Sequence, residues 1–234
     1  MAKIIIKELT KKFNDKLVLK NINFEIENGI FAYIGPNGAG KTTTLRVCLK
    51  IIEPTKGEVI MYGNDEKPIK RNKIGFVLQD EEPFDNFTPL EYLKFYCEIY
   101  GIENKEKIEE ILKKFSLDKE KRTKISKFSK GMKRKLCIAK AFIGDPEILF
   151  LDEPLEGIEI ETRKEIKDIL LEMKKDKIIF LTTHNLYEVE PLCDSFGIIM
   201  DGFFMGKWDK EVLKDKSLED FYFEIKKQHD KNTN

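Results

Sequence analysis

Eight residues, Gly35-Pro36-Asn37-Gly38-Ala39-Gly40-Lys41-Thr42, constrain this chain more than any other stretch. They follow an apolar run, Ile30-Phe31-Ala32-Tyr33-Ile34. They precede a segment in which Leu45, Cys48, Leu49 and Ile52 recur at helical spacing. A buried strand, a glycine-rich turn and a helix, in that order, are the context in which such a loop holds phosphate. Gly35, Gly38 and Gly40 open backbone conformations closed to other residues and allow close approach to a ligand. The loop N–H groups then form an anion nest, and the following helix adds unpaired donors and its positive dipole end. Lys41 can reach the β- and γ-phosphates of a nucleotide, and the Thr42 hydroxyl can ligate Mg²⁺.

The rest of the chain is compatible with one large α/β domain or two small ones, given 234 residues. Charged residues make up 36%, with 42 basic and 42 acidic, so the net charge is zero. That balance argues against a disordered polyelectrolyte and against a general nucleic-acid binder. No apolar run approaches the ~18 residues a membrane helix needs. The N-terminus, Met1 to Lys7, is charged too early for a signal peptide. We therefore expect no direct membrane insertion. Cys48, Cys97, Cys137 and Cys193 are widely spaced, without metal or redox pairing, and read as buried free thiols in a reducing cytosol.

Along the chain, Ile4-Ile5-Ile6, Leu17-Val18-Leu19 and Ile22 to Ile26 read as short strands, with Phe13 before a turn at Asn14-Asp15. From its residue type alone Phe13 reads equally as a core aromatic or as a ligand contact. Strands are expected at Glu58 to Tyr62 and at Ile74 to Leu78, the latter ending at Gln79. An acidic run, Asp80-Glu81-Glu82, follows. From about Pro89 to Phe128 only helical patterns occur: Leu90, Leu93, Tyr96 and Cys97, then Ile108, Ile111, Leu112 and Phe115. Residues 103–135 hold thirteen Lys/Arg and six Asp/Glu, a net +7 that reads foremost as a solvated helical face. Ser129 is a good N-cap for a helix striped by Met132, Leu136, Ala139 and Ile143. On its own, that segment is an ordinary capped basic helix.

Ile148 to Leu151 is a continuous apolar run, as in a strand buried on both faces of a parallel sheet. It ends in Asp152-Glu153-Pro154, where open α/β sheets bind ligands. There Asp152 can hold Mg²⁺ and Glu153 can orient or deprotonate an attacking water. Ile178 to Leu181 repeats the pattern and ends in Thr182-Thr183-His184. His184, taken alone, reads as a hydrogen-bonded structural histidine. Residues 195–206 predict a hairpin through Asp201-Gly202. A short amphipathic helix is expected within Ser217 to Lys227, with a frayed tip from Asp230 and no role for His229.

Taken as an ordered set, these motifs resemble the ATP-binding subunit of ABC (ATP-binding cassette) transporters over nearly the whole chain. The resemblance implies a P-loop NTPase core with an antiparallel β subdomain and a helical subdomain insert. It implies a single nucleotide-binding domain over residues 1–234. The core and β subdomain would take about 1–88 and 136–215, the helical signature subdomain about 89–135, and a C-terminal helix and tail about 216–234. Phe13 matches the aromatic that stacks on adenine. Gly35 through Thr43 match the Walker A loop and its continuation, and Gln79 matches the glutamine that senses Mg²⁺. Phe128 to Met132, with Ser129 and Gly131 on the nucleotide, are similar to the signature sequence. Asp152 and Glu153 match the Walker B aspartate and the catalytic glutamate, and His184 matches the switch histidine. The implied catalytic group is Glu153, His184, Lys41 and Gln79, with Thr42, Gln79 and Asp152 on the metal.

The implied ligands are ATP and Mg²⁺. The implied partners are a transmembrane permease and a second, identical cassette, with no nucleic acid. The chain would lie at the inner face of the cell membrane through the permease. Three departures stand out: Lys130 replaces the first signature glycine, Met132 replaces the glutamine, and Glu159 stands where the family has aspartate. Ser129-Lys130-Gly131-Met132-Lys133 resembles the exporter-type branch, whose permease is encoded separately. Phe13 replaces the commoner tyrosine and keeps its π-face. Two alternatives to a transporter subunit are a soluble ABC-type ATPase, such as one of iron–sulfur assembly, and a non-hydrolysing regulatory subunit.

Overall fold

The computed structural model describes residues 1–102 and 105–233. The chain runs through nine strands and seven helices among these residues, divided between two sheets. A three-stranded antiparallel sheet, order β2-β1-β4, is built from β1 (Lys3–Phe13), β2 (Lys16–Ile26) and β4 (Lys56–Tyr62). A six-stranded sheet, order β5-β6-β7-β3-β8-β9, contains β3 (Gly29–Ile34), β5 (Ile74–Val77), β6 (Ile148–Asp152), β7 (Ile178–Thr183), β8 (Ser195–Met200) and β9 (Phe203–Asp209). Its first five strands are parallel and β9 closes the edge antiparallel. The α/β class expected from the strand–loop–helix pattern is what the chain forms.

The first strands differ from expectation. Ile4 to Ile6 is only the start of an eleven-residue strand, and Leu17 to Leu19 and Ile22 to Ile26 belong to one partner strand. The polar interruptions are β-bulges, with Glu8 and Asn21 at φ 49° and 54°, rather than strand ends.

Period-two alternation divides the core. On β3, Ile30, Ala32 and Ile34 face one hydrophobic cluster while Phe31 and Tyr33 face the other. Leu149 and Leu151 oppose Ile148 and Phe150 on β6 in the same way, as do Ile179 and Leu181 against Ile178 and Phe180 on β7. The cluster between the two sheets is aromatic: Phe180 lies 5.2 Å from Phe31, 5.5 Å from Tyr33 and 5.5 Å from Phe150 between ring centres. Ala39 of the glycine-rich loop and Leu45 of the helix after it pack into this same cluster.

Between β5 and β6 the described residues form helices: α2 (Pro89–Tyr100), α3 (Lys105–Lys114) and α4 (Lys130–Ala141). Thr88 and Glu91 form a reciprocal capping box at the start of α2. Much of the positive charge of this region is matched: Lys114 pairs with Glu172, Lys121 with Glu109, and Lys133 with Glu82 and Asp85. The acidic run after Gln79 is likewise committed, since Glu81 also pairs with the buried Lys140 at 2.6 Å. Of that run only Asp80 is both exposed and outside these pairs.

The helix after the loop, α1 (Lys41–Cys48), is shorter than its stripe to Ile52 suggests. Lys50 turns left-handed at φ 55°, and the amides of Lys50 and Ile51 return to Val47 and Arg46. The C-terminal helix α7 (Leu218–Thr233) instead runs longer than Lys227 and continues through the segment expected to fray; Asn234 lies outside the described residues. Its anchor is the β8–β9 hairpin, where Phe221 lies 5.5 Å from Phe196 and 5.1 Å from Trp208 between ring centres. His229, read as a tail residue, is buried there with Nε2 3.3 Å from Asp201 Oδ2. All four cysteines are buried free thiols, and burial pushes Cys48 and Cys137 up to about 12.

Helix α4 lies so close to β5 that a Cβ on Gly75 would meet Ala141 O at 2.2 Å. Gly75→Ala therefore forces α4 away from the sheet. We expect a loss of about 1–3 kcal/mol, a drop of roughly 2–12 °C in thermal midpoint for a domain of this size. A thermal melt followed by circular dichroism checks it.

Candidate active site

The glycine-rich loop leaves β3 at Ile34 and enters α1 at Lys41. Gly40 makes the turn: its φ of 113° is open to glycine alone, and a Cβ would lie 2.7 Å from Leu19 Cδ2. The helix start therefore carries no side-chain cap, and its first N–H groups remain available to a ligand.

Lys41 is buried at 6% exposure. Its ammonium donates to Gly35 O at 2.8 Å and Pro36 O at 3.3 Å, and lies 3.2 Å from Glu153 Oε1. The same carboxylate oxygen lies 3.1 Å from His184 Nδ1. Three residues far apart in sequence thus meet at one oxygen. Glu153 sits at φ 45°, a left-handed conformation that is strained for a side-chain-bearing residue and that recurs at working sites. A cavity of about 210 Å³ opens beside it, lined in part by His184, Thr183, Asn185, Arg163 and Glu188. It has room for water next to the carboxylate.

Asp152 is wholly buried. Its Oδ1 accepts from Thr182 Oγ1 at 2.5 Å and Thr42 Oγ1 at 3.2 Å. Its Oδ2 has no partner at all among the described residues. Burial raises the Asp152 pKa above the ordinary carboxylate value, against the two hydroxyl bonds that lower it. An orphaned carboxylate oxygen beside the Thr42 hydroxyl fits one hard cation that takes its remaining ligands from water and phosphate. No group of three or more His, Cys, Asp or Glu among the described residues is placed to hold a metal ion by itself.

The other expected site residues are placed differently. Gln79 donates to Glu156 Oε2 at 2.8 Å, so its amide is turned to the loop after β6 and not to the Thr42–Asp152 pair. Ser129 accepts from Met132 N at 3.2 Å and caps α4. Gly131 is buried on α4 against Thr162. Lys130, between them, lines one cavity with Gln79, Glu153 and Glu156. Phe13 is 44% exposed at the end of β1, which removes the core reading, and Lys11 Nζ lies over its ring, 4.8 Å from the centre.

Three contributors escaped the sequence reading. Thr182 ties the Asp152 side chain to the next peptide unit, donating to the Asp152 carboxylate and accepting from the Glu153 backbone N–H at 3.0 Å. Glu156 holds Gln79. Arg134, inside α4, is buried beneath both loops. Only Thr182 left a signal, its place at a strand end in the register of Asp152.

Comparison with known proteins bears on this geometry. The family described as ABC transporter matches residues 19–156. The chain belongs to that family. The bacitracin transport ATP-binding protein BcrA of Bacillus licheniformis is 34% identical over 95% of this chain and 74% of its own length. ABC transporter A family member 8 of Dictyostelium discoideum is 35% identical over 94% of this chain, but the match takes in only 28% of that longer protein. A solved structure titled as the ATP binding subunit of an ABC transporter superposes with a TM-score of 0.81, at 27% identity, covering 95% of this chain and 99% of that one. The chain is thus an ABC-type ATP-binding domain and an ATPase. Subunits of this family bind ATP, pair with one another and work with transmembrane permeases. No helix among the described residues is long and apolar enough to cross a membrane.

The raised Asp152 pKa has a definite sign. A carboxyl whose pKa is higher in the folded state contributes stability at low pH that is lost as pH rises through the folded value. Near neutrality the cation-free chain therefore carries that loss. Asp152→Asn, which cannot ionise, should leave the thermal midpoint without ligand equal to or above wild type. It should also remove most of the upward shift that Mg²⁺ and ATP give the wild type. Differential scanning fluorimetry at pH 7 to 8, with and without Mg²⁺ and ATP, checks both halves.

Proposed function

We propose that this chain is the ATP-hydrolysing subunit that dimerises with an identical copy on ATP and powers a separate permease in the direction of export. The observation that carries the hydrolytic part is the single Glu153 oxygen held between Lys41 and His184, beside the orphaned Asp152 Oδ2.

Each group has a role that its surroundings support. Lys41 and the loop N–H groups bind phosphate, and Lys41 leaves Glu153 for that stronger charge. Thr42 and Asp152 would hold Mg²⁺, which would supply neutralisation of charge on the phosphates. Glu153, once released by Lys41, orients water standing in the adjoining cavity and accepts its proton. His184 holds the Glu153 carboxylate and faces the γ-phosphate. Gln79, once free of Glu156, would be a further ligand for the metal, and Phe13, exposed at the β1 end, would stack on adenine. Ser129 and Gly131, at the start of α4, cap the nucleotide of the second copy, completing its site. Residues of about 89–135 form the helical subdomain that carries this cap. Export rests on the likeness of residues 129–133 to the exporter-type branch. The permease would be met at the aromatic knuckle where Phe84, Phe87 and Phe95 pack edge to face, since Phe84 and Phe95 stay exposed while the neighbouring acids are committed to ion pairs. The chain would then lie on the inner membrane face through the permease.

Glu153→Gln keeps the shape of the side chain and removes the base. We expect turnover to fall by about 10²–10⁴-fold, with an ATP-dependent dimer accumulating on size-exclusion chromatography. A wild type without ATPase, or a mutant that stays monomeric in ATP, would favour the regulatory alternative.

Affinity purification from native membranes should bring down a small multi-span protein in stoichiometric amount, identified by mass spectrometry. Recovery of soluble partners alone would point to the assembly-type ATPase and overturn the transport reading.

A further inference from the structure

Arg134 has an unusual environment. The side chain is 8% exposed, yet among the described residues no carboxylate oxygen lies within ion-pair distance of it. A guanidinium carries five N–H donors, and here all five end on backbone carbonyls. Nε donates to Pro154 O at 3.1 Å. One terminal nitrogen donates to Leu78 O at 2.9 Å and Gln79 O at 3.4 Å. The other donates to Asp152 O at 2.7 Å and Glu153 O at 2.9 Å.

These carbonyls fall into two sets. Strands β5 and β6 are paired up to Val77 opposite Leu151, and the ladder stops there. Beyond it Leu78 leaves β5 toward Gln79, while Asp152, paired only with Thr182 on β7, is the last residue of β6 before Glu153. Where backbone pairing ends, one side chain takes over and joins the two exits. It also spans the left-handed turn at Glu153, bonding the carbonyls of Asp152, Glu153 and Pro154 around it. A lysine at this position could not do the same, because a point charge on a flexible stem lacks the fork that reaches both loops together.

We propose that Arg134 is a positioning residue for hydrolysis, setting Gln79 and Glu153 relative to one another and tying both to helix α4. The inference rests on the ATPase reading above and adds a link within it. Since α4 is opened by Ser129, movement of that helix start when it meets a nucleotide is passed to Gln79 and Glu153 of the same chain. The burial of the guanidinium without a counter-ion fits this role, because carbonyls at two loop exits satisfy it only while both loops hold their places.

The test uses the full-length chain as wild type, Arg134→Lys and Arg134→Ala. ATPase is measured against ATP concentration with Mg²⁺, ATP binding by equilibrium titration, and folding by thermal melt. We expect kcat to fall by about tenfold or more in both variants, with KM and ATP affinity within about threefold of wild type, since Lys41 and the glycine-rich loop are untouched. Guanidinium ion should restore part of the Arg134→Ala rate, and sodium chloride of equal ionic strength should not. Unchanged kcat, or a fall in ATP affinity as large as that in kcat, would overturn the proposal. Hydrogen exchange of the ATP-free protein gives a readout independent of turnover. Amides of residues 78–82 and 152–157 should exchange faster together in Arg134→Lys, and change in only one segment or neither would also overturn it. An inert wild-type chain would sink the ATPase reading, and the exchange result then decides the positioning role alone.

Discussion

The register of three parallel strands supports everything functional in this chain. Asp152 on β6 lies opposite Thr182 on β7, and Thr182 lies opposite Tyr33 on β3. That one row sets the exits of all three strands at the same height. The glycine-rich loop, the Asp152-Glu153 pair and His184 each begin within two residues of it. A slip of one residue on β7 would turn Thr182 to the far face and carry His184 away from Glu153. The aromatic layer of Phe31, Tyr33, Phe150 and Phe180 opposes such a slip, because each ring fills a volume in the cluster between the sheets.

The electrostatics follow from that row. Burial brings a lysine and two carboxylates into a small space where each needs a partner. Lys41 and Glu153 satisfy one another together with two loop carbonyls and His184. Asp152 is satisfied on one oxygen only. One side of the arrangement thus offers a buried carboxylate oxygen and the other a lysine held by a carboxylate and two carbonyls. On the proposed function a nucleotide with its cation would match both, the phosphate drawing Lys41 and the cation meeting Asp152, so that binding and preparation of the base would be a single exchange of partners.

The helical segment between β5 and β6 acts on the site through the backbone of its own loops. Lys140 reaches Phe76 O and Glu81, Lys133 reaches Asp85, and Arg134 reaches five carbonyls. Successive turns of α4 are therefore bonded to the segment after β5, and the closeness of α4 to Gly75 makes the contact stiff. A helix attached in this way shifts as a body with the loops it holds.

The residues themselves already determined the local parts: the loop with its lysine and threonine, the buried strands, the capped start of α4 and the carboxylate pair at a strand end. Each depends on residues within a few positions of one another, so composition and period suffice to read it. The ordered set also identified the family. Tertiary structure alone decided the rest. Phe13 is exposed and His229 buried because of what packs, or fails to pack, against them from elements far away in sequence. Gln79 faces Glu156, and Arg134 meets carbonyls rather than an acid, because loops from two strands converge over α4. The bulges of β1 and β2, the early end of α1 and the length of α7 were likewise set by partners across the fold. Side-chain type carries no record of such distant neighbours, since the same arginine or histidine is equally at home in water until a particular packing removes it.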